Sequence, residues 1–274
     1  MLSPKGKLIG DFTVSCIREG LFQLTASYGS QAYHQRWFEQ NMEPGVTLQN
    51  ISDQRTGFQI AGAQAAEVLQ ACTTANVADI KFLDVIGLVV GSTACLVQQV
   101  SYTGDHGFEI YCDPMAQRAL WDTLWEAGQP HGMAPFGMRA MMSLRLDRFF
   151  GSWLSEFSPD YTAAETGLDR FISFRKNVDF IGRSAAEAER LTPPERQLVI
   201  FEVDARDADV VAYEPVFING TVQGFCTSGG YSHHAEKSIA FALVPRAEAT
   251  DDLQAEIEIL GQLRPAKRLL EPLL

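Results

Sequence analysis

The sequence predicts an α+β fold that ends in a small antiparallel β-barrel or sandwich. Over the first hundred residues, helix-like and strand-like stretches alternate without a low-complexity or linker-like segment. After Pro193-Pro194 the chain changes to short strands separated by turns at Asn219-Gly220 and Gly229-Gly230. We therefore predict one domain over residues 1–195 and a C-terminal β-barrel domain over residues 196–274.

Each element is predicted from its periodicity and its flanking residues. Alternating apolar residues predict strands, and apolar residues three or four apart predict helices. The predicted strands cover residues 7–17, 21–26, 85–90, 94–100, 197–203, 215–218, 222–227 and 238–244. The predicted helices cover residues 31–40, 63–71, 113–128 and 137–147.

The clearest helix begins at Asp113-Pro114, because aspartate caps free amides and proline suits the first turn. Gly128, with Pro130 beyond it, marks the end of this helix. Its apolar stripe is expected to belong to the core and consists of Leu120, Trp121, Leu124 and Trp125.

Composition limits the class of protein. The formal charge of −12 makes nucleic acid a poor partner, because duplex binding requires a basic surface. No apolar run is long enough for a membrane span, and the first residues do not resemble a signal peptide. We expect a soluble, cytoplasmic protein of 274 residues whose 46% apolar content is ample for a buried core.

The cysteines and histidines do not indicate a metal site. The five cysteines are widely spaced and mostly lie among apolar residues, which favours buried reduced thiols. His233 and His234 are adjacent, so in an extended segment their side chains point to opposite faces.

Glu109 is the first candidate for chemistry, because it stands between Phe108 and Ile110 in an apolar strand. A buried carboxylate needs a partner. One interpretation is an edge strand on which Glu109 points to water. The other is a carboxylate that accepts two parallel hydrogen bonds from a flat ligand such as a pterin or a guanine.

Asp11 and two arginines are further candidates. Asp11 is alone in the strand-like stretch 8–14, where it is either a surface residue or a buried acid–base group. Arg139 and Arg145 lie six residues apart, so they need not share a helix face, and one could pair with Asp147 or Glu156.

Several motifs together resemble the aminomethyltransferase family, which includes the glycine-cleavage T-protein. They occur in the family's order and read SYTGDHGFEIY, SLRLD, YTAAETGLDRF, DFIGR and FCTSGGYSHHAEKSIAFALVP. The stretches LIGDFTVS and ASYGSQAYHQRWFEQ resemble the dimethylglycine and sarcosine dehydrogenase branch, in which a flavin domain precedes the folate domain. The first folate lobe is expected to be N-terminally incomplete.

This resemblance implies folate-binding lobes around a central channel, together with the C-terminal antiparallel β-barrel. It implies that tetrahydrofolate accepts a methylene group from an oxidised N-methyl amine and becomes 5,10-methylenetetrahydrofolate. The implied partners are folate, a small methylated amine or its iminium, and a flavin-containing subunit or domain. No G-x-G-x-x-G fingerprint occurs in this chain, so FAD is not expected to bind here through that motif.

The resemblance also assigns roles to residues. Asp11 falls on the catalytic aspartate, which suits both stabilising a cation and accepting a proton. Glu109 falls on the pterin-anchoring glutamate and Tyr102 on a folate-contacting tyrosine. Weaker assignments to the folate site are Tyr33, Tyr111, Arg139 and Phe150.

Three differences from the T-protein argue for a distinct substrate. The T-protein's folate-site arginine aligns with Met141, its tryptophan after T-x-x-E is Arg170, and its asparagine after the second strand is replaced near Ser27. They argue against a lipoyl-protein substrate. The alternatives are a folate-dependent demethylase of another small molecule and a non-catalytic folate-binding protein.

Overall fold

The computed structural model describes all 274 residues, which form two compact units. One unit is Phe12–Gly137, here called the sheet unit. The other combines Met1–Asp11 with Met138–Leu274 and is called the barrel unit. Each unit has its own hydrophobic core and is described by itself.

The sheet unit contains a hairpin, a four-stranded sheet and three α-helices. The antiparallel sheet has the strand order β3-β6-β5-β4. The elements in chain order are β1 Thr13–Arg18, β2 Leu21–Thr25, α1 Gln31–Asn41, β3 Thr56–Ala61, α2 Ala65–Ala71, β4 Val85–Val90, β5 Thr93–Gln98, β6 Gly107–Cys112 and α3 Gln117–Gly128.

The core of the sheet unit lies between one face of the sheet and the helices α2 and α3. Successive strand side chains point to opposite faces, so Phe108 and Ile110 of β6 share the apolar face. Leu69 of α2 and Leu120 of α3 belong to the same buried cluster. The opposite face, to which Glu109 of β6 points, is here called the polar face.

The start of α3 follows the predicted capping chemistry. The Asp113 carboxylate accepts a hydrogen bond from the backbone amide of Met115 at 2.8 Å, and Pro114 begins a short 3₁₀ turn before the helix. Leu120 and Leu124 are buried as predicted. Trp121 is 39% exposed and stacks on Trp125 at 5.7 Å, so the predicted stripe is only partly core.

The barrel unit contains three short helices and six strands that close into a barrel in the order β10-β7-β12-β11-β8-β9. This confirms the predicted C-terminal antiparallel barrel, while the boundary at residue 195 stays a prediction. The elements in chain order are α4 Met138–Leu144, α5 Ala163–Thr166, α6 Arg183–Leu191, β7 Arg196–Val203, β8 Pro215–Ile218, β9 Thr221–Ser232, β10 Lys237–Pro245, β11 Gln254–Ile259 and β12 Gln262–Leu269.

A buried ion pair connects the segment after α4 to the barrel. Arg145 Nη1 lies 2.8 Å from Glu156 Oε2, with side-chain exposures of 1% and 0%. Thr227 and Ser228 of β9 both donate hydroxyl hydrogen bonds to Glu156 Oε1. Of the two partners considered for Arg145, the structure selects Glu156.

Three element predictions need correction. The predicted turn at Gly229-Gly230 is instead part of β9, where both glycines pair with β10. The predicted strand at residues 7–17 begins only at Thr13, because the amides of Leu8 and Ile9 bond to Tyr161 and Met1 carbonyls in the barrel unit. Asp11 therefore precedes the strand and is not part of it. The predicted helix at residues 137–147 is α4 followed by a 3₁₀ turn at Arg145–Arg148.

Other sequence features have simple structural outcomes. All five cysteines are free thiols, and four are buried while Cys16 is exposed. His233 packs edge-on against Tyr231 at 5.0 Å. No helix has the length and apolar character that crossing a membrane requires.

Candidate functional site

Glu109 lies on the polar face of the sheet in the sheet unit. Its strand β6 is between β3 and β5, so the edge-strand interpretation is wrong. The register places Gln59 of β3 opposite Glu109 on one side and Gln98 of β5 opposite it on the other. Directly opposed residues share a face, so two neutral amides flank the carboxylate.

The β1–β2 hairpin packs its polar side against this face. The Ser15 hydroxyl, which is buried, donates to Gln98 Oε1 at 3.1 Å. The opposite side of the hairpin is exposed and includes Val14 and Phe22, at 60% and 54%. Alternation along β1 and β2 therefore points the hydroxyls and amides of the hairpin toward Glu109's face of the sheet.

The Glu109 carboxylate accepts a hydrogen bond from the Tyr111 hydroxyl at Oε2. Burial raises the pKa of Glu109 above its ordinary value, and the hydrogen bond from Tyr111 lowers that pKa in part. Burial, with the nearby Glu109 charge, raises the pKa of Tyr111. Tyr111 is therefore a neutral donor, and Glu109 is a half-buried acceptor without a cationic partner.

Two other predicted residues belong to the sheet unit. Tyr102 is half-buried in the turn between β5 and β6, where Gln59 donates to the Ser101 hydroxyl at 3.1 Å. Tyr33 is half-buried on α1, with its ring 5.6 Å from that of His34. The structure therefore brings Glu109 and Tyr111 into direct contact and holds Tyr102 and Tyr33 in the same unit.

The remaining predicted residues belong to the barrel unit. Asp11 follows a segment in which the Met1 amino group donates to the Gly10 carbonyl at 2.8 Å. Arg139 is exposed in the first turn of α4. Phe150 is half-buried, and its carbonyl accepts from Arg145 Nη1 at 2.6 Å.

The Asp11 carboxyl has a raised pKa. Although the residue stays exposed, its carboxyl is less hydrated than in a free peptide, and this desolvation raises its pKa. The positive charge of the Met1 amino group lowers that pKa in part. A raised carboxyl pKa brings the group closer to neutral pH, where proton exchange is most effective.

The flanking residues of the site were missed by sequence reasoning. Gln59, Gln98, Ser15 and Thr25 come from four strands, and none belongs to the motif around Glu109. The sequence contained one sign of these residues. In β5 the polar Gln98 follows the apolar Val97, so the two side chains point to opposite faces of the sheet. Only the register shows which polar residues meet. The structure contains no group of three or more metal-binding side chains.

Comparison with known proteins identifies the family. Residues 1–176 match the model of the GCVT N-terminal domain, and residues 196–274 match that of the glycine cleavage T-protein C-terminal barrel domain. The chain belongs to the glycine cleavage T-protein family. Aminomethyltransferases of this family are tetrahydrofolate-dependent, so the predicted resemblance and cofactor class are confirmed.

Relatives of two kinds match nearly the whole chain. Human mitochondrial dimethylglycine dehydrogenase is 37% identical, over 100% of this chain and 32% of the human protein. Aminomethyltransferases from Geobacillus sp. and Koribacter versatilis are 30% and 31% identical, over 99% and 97% of this chain and 75% and 71% of their own length. This chain thus spans about a third of the dehydrogenase that it matches.

A solved structure confirms the fold. The aminomethyltransferase T of the glycine cleavage system from Bartonella henselae superposes with a TM-score of 0.87 at 23% identity. The superposition covers 100% of this chain and 74% of that chain. The aminomethyltransferase fold, with mixed helices and sheets and a closed C-terminal barrel, is therefore shared.

Proposed function

We propose that this chain binds tetrahydrofolate at Glu109 and transfers to it the methylene carbon of an oxidised N-methyl amine such as dimethylglycine or sarcosine. The observation that carries the proposal is the half-buried Glu109 carboxylate on an interior strand, flanked by neutral amides and without a cationic partner. Such a carboxylate is costly to bury unless a ligand supplies the missing donors.

The chemistry of the site fits a pterin. A pterin ring presents an N–H group beside an amino group, and the two oxygens of a carboxylate match this pair. Tyr111 occupies Oε2 with a single hydrogen bond, and a carboxylate oxygen accepts more than one. Tyr102 and Tyr33, in the same unit, are the proposed aromatic contacts, and the roles of Arg139 and Phe150 in the barrel unit stay predictions.

Asp11 is the proposed catalytic residue. Folate supplies the two nitrogens that bond to the methylene carbon. As the C=N bond of the iminium breaks, the protons that leave those nitrogens must reach the departing amine. The Asp11 carboxylate accepts and returns one of these protons, and its negative charge stabilises the cationic carbon–nitrogen centre.

The relatives support an N-methylated amine as substrate, and we propose a flavin group as its oxidant. Two of the matched proteins are named aminomethyltransferases and another is named a dimethylglycine dehydrogenase. Oxidation of the amine to its iminium removes two electrons, which we assign to a flavin-containing subunit or domain. The transfer step itself involves no change of oxidation state. We place the reaction in the cytoplasm, as the composition predicts.

Anaerobic calorimetric titration with tetrahydrofolate tests the binding site. We expect Glu109→Ala to weaken binding by about tenfold to a hundredfold, because charge-assisted hydrogen bonds are lost. Glu126→Ala, at an exposed position on α3, is the matched control and should bind like the unaltered chain. Equal affinity of both variants would refute the assignment of Glu109.

A further inference from the structure

The side chains of Thr25, Tyr111 and Glu109 lie in a line at the polar face of the sheet. Tyr111 donates its single hydroxyl proton to Glu109 Oε2. The Thr25 side chain also lies near the Tyr111 hydroxyl and lowers the pKa of Tyr111 in part. Because the tyrosine proton is already committed to Glu109, the Thr25 hydroxyl can act toward Tyr111 only as a donor. The line therefore runs from Thr25 through Tyr111 to the carboxylate.

The backbone leaves a gap for the Tyr111 ring. Gly57 of β3 is the cross-strand partner of Tyr111 on β6. A Cβ at position 57 would lie 2.9 Å from Cδ1 of the Tyr111 ring and 2.9 Å from the Ile110 carbonyl oxygen. Only glycine therefore lets the ring lie across β3, and this placement fixes the direction of the hydroxyl.

The neighbours of Glu109 on the sheet and the hairpin are uncharged. The facing residues are Gln59 on β3 and Gln98 on β5, and the hairpin contributes Ser15 and Thr25. Two effects act on the pKa of Glu109: burial raises it, and the hydrogen bond from Tyr111 lowers it. Tyr111 is thus the group that favours the ionised carboxylate against its desolvation.

We propose that Tyr111 is a positioning residue, which holds Glu109 ionised and correctly oriented for the pterin and does not itself contact the ligand. This inference rests on the proposed function of Glu109 as the pterin anchor. It gives Tyr111 an indirect role, in place of the direct folate contact predicted from the family resemblance. Thr25 and Gly57 support Tyr111 from the neighbouring strands.

The test compares tetrahydrofolate affinity of the unaltered chain and of Tyr111→Phe over a range of pH, by anaerobic calorimetry. The variant keeps the ring and loses the hydroxyl, so the pKa of Glu109 rises and the carboxylate protonates at a higher pH. We expect binding about tenfold weaker, with the loss of affinity on acidification beginning at a higher pH. The ratio of the two affinities at each pH is independent of the protonation of tetrahydrofolate itself, because both chains bind the same ligand.

Two further variants make the result specific. Thr25→Val removes the hydroxyl beside Tyr111. The loss of affinity on acidification, here called the acid limb, should again begin at a higher pH, with a smaller shift than in Tyr111→Phe. Tyr28→Phe, at a tyrosine that is 71% exposed, is the matched control and should change neither affinity nor pH profile. Melting temperatures of all variants show whether each chain is folded.

Each outcome has one meaning. A uniform loss of affinity with an unshifted acid limb would mean that Tyr111 contacts the ligand directly, and would overturn the proposal. Unchanged affinity in Tyr111→Phe would overturn it as well. Full binding by Glu109→Ala would instead refute the proposed function, because the pterin would then lie elsewhere.

Discussion

The neighbours of Glu109 determine both the direction of its side chain and its pKa. Phe108 and Ile110 are both fully buried on the apolar face of β6, so alternation along the strand directs Glu109 to the polar face. Its raised pKa reflects the desolvation that a site for a polar ligand requires. The residue is therefore expected to favour binding at the expense of folding stability.

This expectation is tested by Glu109→Gln. A carboxyl whose pKa is raised on folding contributes most to stability at low pH, and this contribution is lost as the pH rises through the folded-state pKa. At pH 7 the variant should be as stable as the unaltered chain or more stable, while tetrahydrofolate binding is weakened. Urea unfolding at several pH values measures this.

The difference in unfolding free energy between the two chains should stop changing below the ordinary pKa of 4.5, where the carboxyl is protonated in both states. A Glu109→Gln variant that is less stable at pH 7 than the unaltered chain would contradict the assigned pKa direction.

In the buried Arg145–Glu156 pair, unlike at Glu109, removal of a charge is expected to destabilise the chain. Arg145→Met leaves Glu156 buried without its cation and should lower the free energy of unfolding by about 3–5 kcal/mol. The double variant Arg145→Met, Glu156→Leu should recover much of this loss, since it removes the uncompensated charge. Arg118→Met, which breaks the exposed pair with Asp122, should cause no measurable change in chemical denaturation.

At the scale of elements, the turn before α5 forms a capping box, an arrangement that a T-x-x-E sequence favours. The Thr162 hydroxyl accepts from the Glu165 amide at 3.2 Å, and the Glu165 carboxylate accepts from the Thr162 amide at 2.8 Å. Glu165 also pairs with Arg196 of β7 at 2.8 Å. This capping box therefore connects α5 to the first strand of the barrel.

Thr162→Ala should destabilise the chain by about 1 kcal/mol, because the amide of Glu165 loses its capping partner. Thr192→Ala, at an exposed threonine after α6, is the control and should have little effect. Thermal or urea unfolding of the two variants side by side provides the comparison. Equal stability would show that the box does not contribute to the folded state.

At the scale of the whole molecule, each unit has its own core, so stability and binding should be separable. Phe201 is fully buried in the barrel, whereas Glu109 belongs to the sheet unit. Phe201→Ala should lower the unfolding free energy of the chain by about 3–5 kcal/mol through loss of burial and a residual cavity. Leu191→Ala, at a position 88% exposed, is the control.

The folded Phe201→Ala chain should retain the pH profile of tetrahydrofolate binding, because Tyr111 and Glu109 stay in place. Denaturant unfolding and calorimetry at low temperature measure the two properties separately. A shifted acid limb in this variant would show that the barrel controls ionisation of the site.

The sequence by itself determined the family, the C-terminal barrel and the helices at residues 31–40 and 113–128, since periodicity, caps and ordered motifs are local. It also singled out Glu109 and Asp11. The roles of these residues stay predictions, as do the amine substrate and the cytoplasmic location.

Only the tertiary structure decided that β6 is an interior strand, that β1 begins after Asp11, and that Gln59, Gln98 and Thr25 lie around Glu109 and Tyr111. Strand pairing joins residues distant in the chain, and a shift of one residue would turn each side chain to the other face. That register depends on the packing of the whole sheet, which no local pattern records.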